Sequence, residues 1–165
     1  MKTLHCTLLT ALLIALPVLA QEVDDTAIIS RVETAIADNE ELAGAQVQVN
    51  SVNGYVLLTG QALSAEQKQQ ASVAVAFATN DMRRLMNELE VVDTIDTSYQ
   101  ASDAALAEAI DTEIQNLTHR TTVVVHNGTV HLLGQVSREE GNTVAQVISK
   151  IPNVKTIRLS YEFTD

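Results

Sequence analysis

Apolar and polar positions follow the same pattern twice along this chain, and the second copy begins 74 residues after the first. Residues 49–60 and 123–134 each place an Asn-Gly pair between two runs that alternate apolar and polar side chains, and each ends on a glycine. Asn-Gly between such runs is the strongest short-range signal of a β-hairpin, because both turn positions need a positive φ. The repetition therefore predicts two copies of one domain.

An amphipathic helix is predicted before each hairpin, because apolar residues recur there at helical spacing. The apolar positions are Ile28, Val32, Ala35 and Ile36 in the first copy and Leu106, Ile110, Ile114 and Leu117 in the second. We interpret these stripes as core. The alternative for the second is a helix over 103–117 that lies on a membrane surface.

A second helix is predicted after each hairpin. Ser64 with Gln67, and Ser137 with Glu140, fit the capping box that marks a helix start. The apolar stripes that follow are Ala71, Ala74, Val75 and Ala78 in the first copy and Val144, Val147, Ile148 and Ile151 in the second. One strand closes each copy, over residues 85–92 and 154–163.

The predicted element order is thus helix, strand, strand, helix, strand, and it occurs twice. Two helices can cover one face of a small sheet, so we predict an α+β fold of two tandem αββαβ domains. Each domain would have a three-stranded mixed or antiparallel sheet with both helices on one face. We assign residues 21–97 to the first domain and 98–165 to the second, with the polar stretch 93–102 as the linker.

The hairpin register separates two faces in each copy, because successive side chains point to opposite sides of a strand. The face predicted to lie in the core carries Val49, Ser51, Val56 and Leu58 in the first copy and Val123, Val125, Val130 and Leu132 in the second. The opposite face carries Asn50, Val52, Tyr55 and Leu57 in the first copy and Val124, His126, Thr129, His131 and Leu133 in the second. Because this opposite face is half apolar, we expect the other domain or a partner to cover part of it.

The first 20 residues have the features of a secretory signal peptide. Lys2 gives a positive start, an apolar run follows over 8–19, and small residues precede Gln21. The run is too short for a membrane span, although a retained anchor is the alternative. Cys6, the one cysteine of the chain, lies before the apolar run, so we expect a mature chain without thiol or disulfide chemistry.

Charge restricts the partners of this chain. After residue 20 it carries nine basic and 21 acidic side chains, a formal charge of −12, of which −9 lies in 21–97 and −3 in 98–165. Nucleic acid needs a surface that neutralises phosphates, so it is disfavoured, and any contact with anionic lipid must be local. The candidate lipid-headgroup contacts are the basic residues of the second copy: Arg120, Arg138, Lys150, Lys155 and Arg158. Ordinary solvated charge is the alternative reading of these residues.

No residue set in the sequence indicates catalysis. The acidic pairs at 24–25, 40–41 and 139–140 lie at predicted helix starts or loops, where carboxylates favour the helix dipole and solvent. His126 and His131 form a diagonal pair on one hairpin face and could bridge a metal, but no third ligand is evident. We therefore expect no enzymatic activity, cofactor or metal, and histidines that face solvent or an interface and could titrate as the surroundings acidify.

Four glycines are expected to have structural roles. Gly54 and Gly128 belong to the hairpin turns, where a positive φ is needed. Gly60 and Gly134 end a strand at a point where we expect backbone to pass close by.

The sequence resembles the BON domain family, in two copies that cover nearly all of the chain after residue 20. Segments 54–60 and 128–134 look like the central strand of that family between two glycines, and 85–89 fits its usual ending. Asp81 and Asn153 stand where the family often has a glycine before the last strand. The resemblance implies a non-enzymatic envelope protein of Gram-negative bacteria that binds phospholipid or a membrane surface and supports envelope integrity or stress tolerance.

The resemblance also suggests a location and partners. Lipoproteins of this family carry a lipid-modified cysteine at the signal junction, which this sequence lacks, so the expected form is soluble in the periplasm or peripheral to the outer membrane. The expected partners are anionic phospholipid, the inner surface of the outer membrane, or envelope proteins. The alternative function is a scaffold that docks on outer-membrane assembly or secretion components through half-apolar sheet positions such as Val52, Tyr55 and Leu57.

Overall fold

The computed structural model describes residues 23–165, so the predicted signal peptide and Cys6 lie outside the described residues. Two units follow each other with the same order of elements. The first contains α1 (Asp25–Ala37), a short 3-10 turn (Glu40–Leu42), β1 (Gln46–Val52), β2 (Tyr55–Ala62), α2 (Ala65–Ala78), β3 (Arg84–Asn87) and β4 (Glu90–Val91). The second contains α3 (Gln100–Ile114), β5 (Thr121–His126), β6 (Thr129–Val136), α4 (Arg138–Ile148) and β7 (Thr156–Phe163).

Each unit has a mixed sheet with the second hairpin strand at its centre. β2 pairs antiparallel with β1 and parallel with β3 and β4, and β6 pairs antiparallel with β5 and parallel with β7. This confirms the α+β fold and selects the mixed sheet. The closing strand of the first unit, predicted as one strand over 85–92, is interrupted at Glu88 and Leu89 and continues in the same register as β4.

Both hairpins turn on the predicted Asn-Gly pairs. Asn53 and Gly54 have φ of 56° and 78°, and Asn127 and Gly128 have φ of 48° and 74°. Positive φ at both central positions is the two-residue turn whose twist matches that of the flanking strands. Asn153, which stands at a family glycine position, also has a positive φ, 70°.

The helix stripes and the predicted sheet face form one core in each unit. Ile28, Val32, Val49, Val56 and Leu58 lie in the first core, and Leu106, Ile110, Ile114, Val130 and Leu132 lie in the second. The stripe of α3 is therefore core and is not available to a membrane surface. Leu117 was wrongly included in that stripe: α3 ends at Ile114, and Leu117 is 40% exposed.

The helix after each hairpin begins at the predicted serine. Ser137 Oγ accepts a hydrogen bond from the amide of Glu140 at 3.1 Å, and the Glu140 carboxylate accepts one from the Ser137 amide at 3.4 Å, which completes a capping box. Ser64 caps α2 in the same way, but Gln67 Oε1 accepts from the amide of Leu63 instead of Ser64. The first of the two capping boxes is thus half formed.

Removing the Ser137 hydroxyl should lower stability by about 1 kcal/mol, because an amide of the first turn of α4 loses its acceptor. Urea unfolding of Ser137→Ala measures this. Thr143→Ala, on an exposed position of the same helix, is the control and should change stability by less than about 0.5 kcal/mol. Equal midpoints for the two variants would show that the cap contributes nothing.

The two sheets pack against each other through the faces that point away from the helices. Leu57 of the first unit and Val124 and Leu133 of the second are buried in this contact, which we call the domain interface. The half-apolar face is therefore partly covered by the other unit. The linker also contacts the first unit, since the Asp96 amide donates to Gln61 Oε1 at 2.7 Å. It is shorter than predicted, because α3 already begins at Gln100.

Candidate functional site

The candidate lipid-contacting cations lie at two opposite ends of the second sheet. Arg120 comes directly before β5, and Arg138 is the first residue of α4, two residues after the end of β6, so both lie where this antiparallel pair begins and ends. Lys155 comes directly before β7, at the end that carries the 127–128 turn. An eight-residue strand spans about 26 Å, so the cations at the two ends of the sheet are separated by about one strand length.

Three of the five cations have partners within the protein. Arg158 Nη1 lies 3.3 Å from the Glu88 carboxylate of the first unit, so this residue bridges the domain interface. The Arg138 guanidinium stacks 4.7 Å from the centre of the Phe163 ring at the end of β7. Lys155 Nζ donates to Asn127 Oδ1 at 2.8 Å and still leaves two N–H groups for a ligand.

Lys150 lies beside a groove between α3 and α4. The groove has a volume of about 720 Å³ and is lined by Ala109, Thr112, Glu113, Val147, Lys150, Ile151 and Pro152. Lys150 and Lys155 lie in the segment that joins α4 to β7, so both cations lie near the end of the unit where β7 begins. The groove therefore combines apolar side chains with one positive charge, that of Lys150, and one negative charge, that of Glu113.

Asp25 and Asp103 have a role that the sequence did not reveal. Asp103 accepts hydrogen bonds from the amides of Asn127 and Gly128 at 2.5 and 3.0 Å, and it is 8% exposed. The first-turn carboxylate of α3 therefore fastens the hairpin turn of its own unit.

The first unit repeats this contact. Asp25 accepts from the Ser51 hydroxyl at 2.5 Å and from the amides of Asn53 and Gly54 at 2.6 and 2.8 Å. The two aspartates are 78 residues apart, which is also the offset between the apolar stripes of the two leading helices. That shared offset was the signal that could have identified them.

His126 and His131 lie in the domain interface, which decides between the solvent and interface alternatives. They are 9% and 2% exposed. Burial lowers the pKa of both imidazoles, while the carboxylates of Asp103 and Glu90 oppose this at His126 and that of Glu88 opposes it at His131. Within residues 23–165, no group of three or more histidine, cysteine or acidic side chains is placed to hold a metal ion.

Two other surfaces bear on binding. Of the three sheet positions expected to dock a partner, Leu57 is fully buried and Val52 packs against the domain interface, whereas Tyr55 is partly exposed. Phe77 of α2 is 88% exposed, and Val73 one turn earlier is 37% exposed, so the first unit has its own small apolar spot. Of the helices in the described part of the chain, none has the length and apolarity needed to span a bilayer.

Two known proteins have sequences related to this chain. Outer membrane lipoprotein DolP of Haemophilus influenzae is 30% identical over 149 residues, which cover 87% of this chain and 77% of that protein. The 21 kDa hemolysin of Actinobacillus pleuropneumoniae is 26% identical over 141 residues, or 82% of this chain and 72% of that protein.

Among solved structures, the C-terminal domain of CdsD, a structural protein of the type III secretion system of Chlamydia trachomatis, aligns with 86% of this chain and 68% of its own. Identity is 17% and the TM-score is 0.35, a similarity that supports no conclusion about this chain. The BON domain family model matches residues 24–93 and 102–161, one match in each structural unit. The chain therefore belongs to the BON domain family and carries the domain twice.

Proposed function

We propose that this protein is a non-enzymatic component of the bacterial envelope that binds phospholipid at a membrane surface through its second unit. The observation that carries the proposal is the groove between α3 and α4, where apolar side chains lie beside Lys150, although Glu113 also lines it. A phospholipid presents an anionic phosphate next to acyl chains, so a cation beside an apolar channel matches both parts. Each Lys or Arg near an anionic bilayer contributes about 1 kcal/mol.

The charge distribution and the sequence similarity to a known protein support this proposal. The second unit carries a formal charge of −3 against −9 for the first, so it meets less repulsion at an anionic bilayer. The Haemophilus relative is named an outer membrane lipoprotein, which favours an envelope location for this chain as well. A periplasmic form after signal-peptide cleavage, and a role in envelope integrity or stress tolerance, belong to the proposal.

Reversing the charge at Lys150 and Lys155 should release the protein from anionic vesicles. The full chain is sedimented with phosphatidylglycerol vesicles at low salt, and the Lys150→Glu/Lys155→Glu variant should bind at least about tenfold more weakly, since two attractive contacts of about 1 kcal/mol each become repulsive. Vesicles of phosphatidylcholine alone should capture neither protein, and added salt should weaken capture of the wild type.

The matched control is Arg31→Glu/Arg84→Glu, which makes the same change in net charge on exposed residues of the first unit. It should bind nearly as well as the wild type. Equal loss of vesicle binding in both variants would show that the overall charge of the protein explains the effect, without a specific site. No capture of the wild type at low salt would remove the function, and release by Phe77→Ser instead would move the contact to the first unit.

A further inference from the structure

The domain interface contains two buried histidines that lack partners for one ring nitrogen each. His126 comes from β5 and His131 from β6, and both side chains point toward the sheet of the first unit. His126 Nε2 and His131 Nδ1 are shielded from solvent and make no hydrogen bond within the described part of the chain. An imidazolium needs a partner at both nitrogens, so this site holds the neutral ring better than the charged one.

The charged groups around the rings do not reverse this preference. Asp103 and Glu90 face His126, and the ring of Tyr99 packs edge-on to it at 4.9 Å. Asp103 is already bonded to two turn amides. Desolvation outweighs both carboxylates, so the pKa of His126 lies below its usual 6.5.

His131 is surrounded by groups that largely cancel. Glu88 faces it, but Glu88 pairs with Arg158, and the Arg158 and His126 charges both disfavour a second positive ring. Burial and these two neighbours keep the pKa of His131 below the ordinary value.

The domain interface is small enough for protonation to matter. Its buried apolar residues are Leu57, Val124 and Leu133, with Val52 and Met86 partly buried beside them. Two ion pairs cross it, Arg158 with Glu88 at 3.3 Å and Arg83 with Glu162 at 3.8 Å. Their side chains are about a third to a half exposed, so solvent screens both pairs and each contributes little to holding the units together. A cleft of about 760 Å³ between the two units reaches His126 and gives water a path to the edge of the contact.

We propose that the domain interface is acid-sensitive: protonation of His126 and His131 separates the two sheets while each unit stays folded. Neither ring belongs to the core of its own unit, so separation leaves both cores intact. We call the state with separated sheets the open form and the state with packed sheets the closed form. In the open form both rings are hydrated and take a proton near pH 6.5.

The direction of the pH effect follows from the proton balance. The open form binds protons more readily than the closed form, so the closed form has its full stability above about pH 6.5 and loses it as the pH falls toward the lower pKa values of the closed form. Each histidine can shift the open-to-closed ratio by up to about tenfold per pH unit in this range.

Small-angle X-ray scattering of the full chain from pH 7.5 to 5.0 tests the proposal. The radius of gyration should rise below pH 6.5 while the far-ultraviolet circular dichroism of helices and strands is unchanged. The His126→Phe/His131→Leu variant should stay compact throughout, because it keeps the ring packing against Tyr99 and has no proton to gain. His119→Gln, at the exposed third histidine of the described chain, should expand like the wild type.

Three results would overturn the proposal. These are a constant wild-type radius down to pH 5.0, an expansion that persists at the same pH in the double variant, and an expansion that coincides with loss of the circular dichroism signal. Should the double variant fail to fold, an NMR titration of the wild-type imidazole protons replaces it. Titration of both interface rings below 6.5 supports the proposal, and titration of both above 6.5 contradicts it.

Discussion

Replacing Gly134 with alanine should destabilise the second unit by about 3–5 kcal/mol and could prevent it from folding. Gly134 has a φ of 142°, and a Cβ built there collides with the carbonyl oxygen of Arg120 on the neighbouring strand. Strained backbone and forced separation of two paired strands each cost about 1–3 kcal/mol. The obstacle is backbone, so no side-chain rotation can relieve it. Urea unfolding followed by circular dichroism measures the loss.

Gly44 offers a control that separates the two causes. It also has a positive φ, 84°, but an added Cβ would only touch the flexible Leu63 side chain at 3.4 Å. Gly44→Ala should therefore cost about 1 kcal/mol, the penalty for the left-handed backbone alone. The corresponding strand glycine of the first unit, Gly60, meets the Gln46 carbonyl in the same way, so Gly60→Ala should resemble Gly134→Ala. Equal costs at Gly44 and Gly134 would refute the collision.

Much of the fold was predictable because its signals are local. The Asn-Gly pairs set the hairpin register, and the register separates core positions such as Leu132 from interface positions such as Leu133 by simple alternation. The interruption between β3 and β4 was not predictable, since nothing in the mixed apolar and polar residues of 85–92 marks a break, and Leu89 packs into the core where the ladder is broken.

The arrangement of the candidate site was less accessible to sequence. Composition identified the basic residues of the second unit, but whether they share a patch depends on which strand end each one occupies. The Arg158 side chain lies on the side of β7 that faces the domain interface, where it contacts Glu88 of the first unit. The sequence could not predict how the first unit is positioned against the second. The histidines were assigned to the correct face, and only the stacking of the sheets showed what covers them.

The roles of Asp25 and Asp103 also could not be predicted from the local sequence. A carboxylate in the first turn of a helix has a sufficient local explanation in the helix dipole. Its bonds to a turn more than 20 residues later exist only because helix and hairpin pack on one core. The repeat offset of 78 residues was the one trace of that contact in the sequence.

Replacing Asp103 with alanine should destabilise the second unit by about 2–4 kcal/mol, because two shielded turn amides lose a charged acceptor at once. The bonds run to Asn127 and Gly128 at 2.5 and 3.0 Å. Chemical unfolding measures the loss. Glu108→Ala, at an exposed position of α3, removes a carboxylate from the same helix and should change stability by less than about 0.5 kcal/mol.

Asp103→Asn distinguishes charge from shape at this position. An amide of the same size offers one oxygen to the two turn N–H groups and turns its own NH2 toward the other, so it can accept one bond and must oppose the second. We therefore expect it to lose most of the stability that alanine loses. An asparagine variant as stable as the wild type would show that the turn needs only a polar side chain at this position. The carboxylates of Asp25 and Asp103 would then not be the reason why the two hairpins are held to their helices.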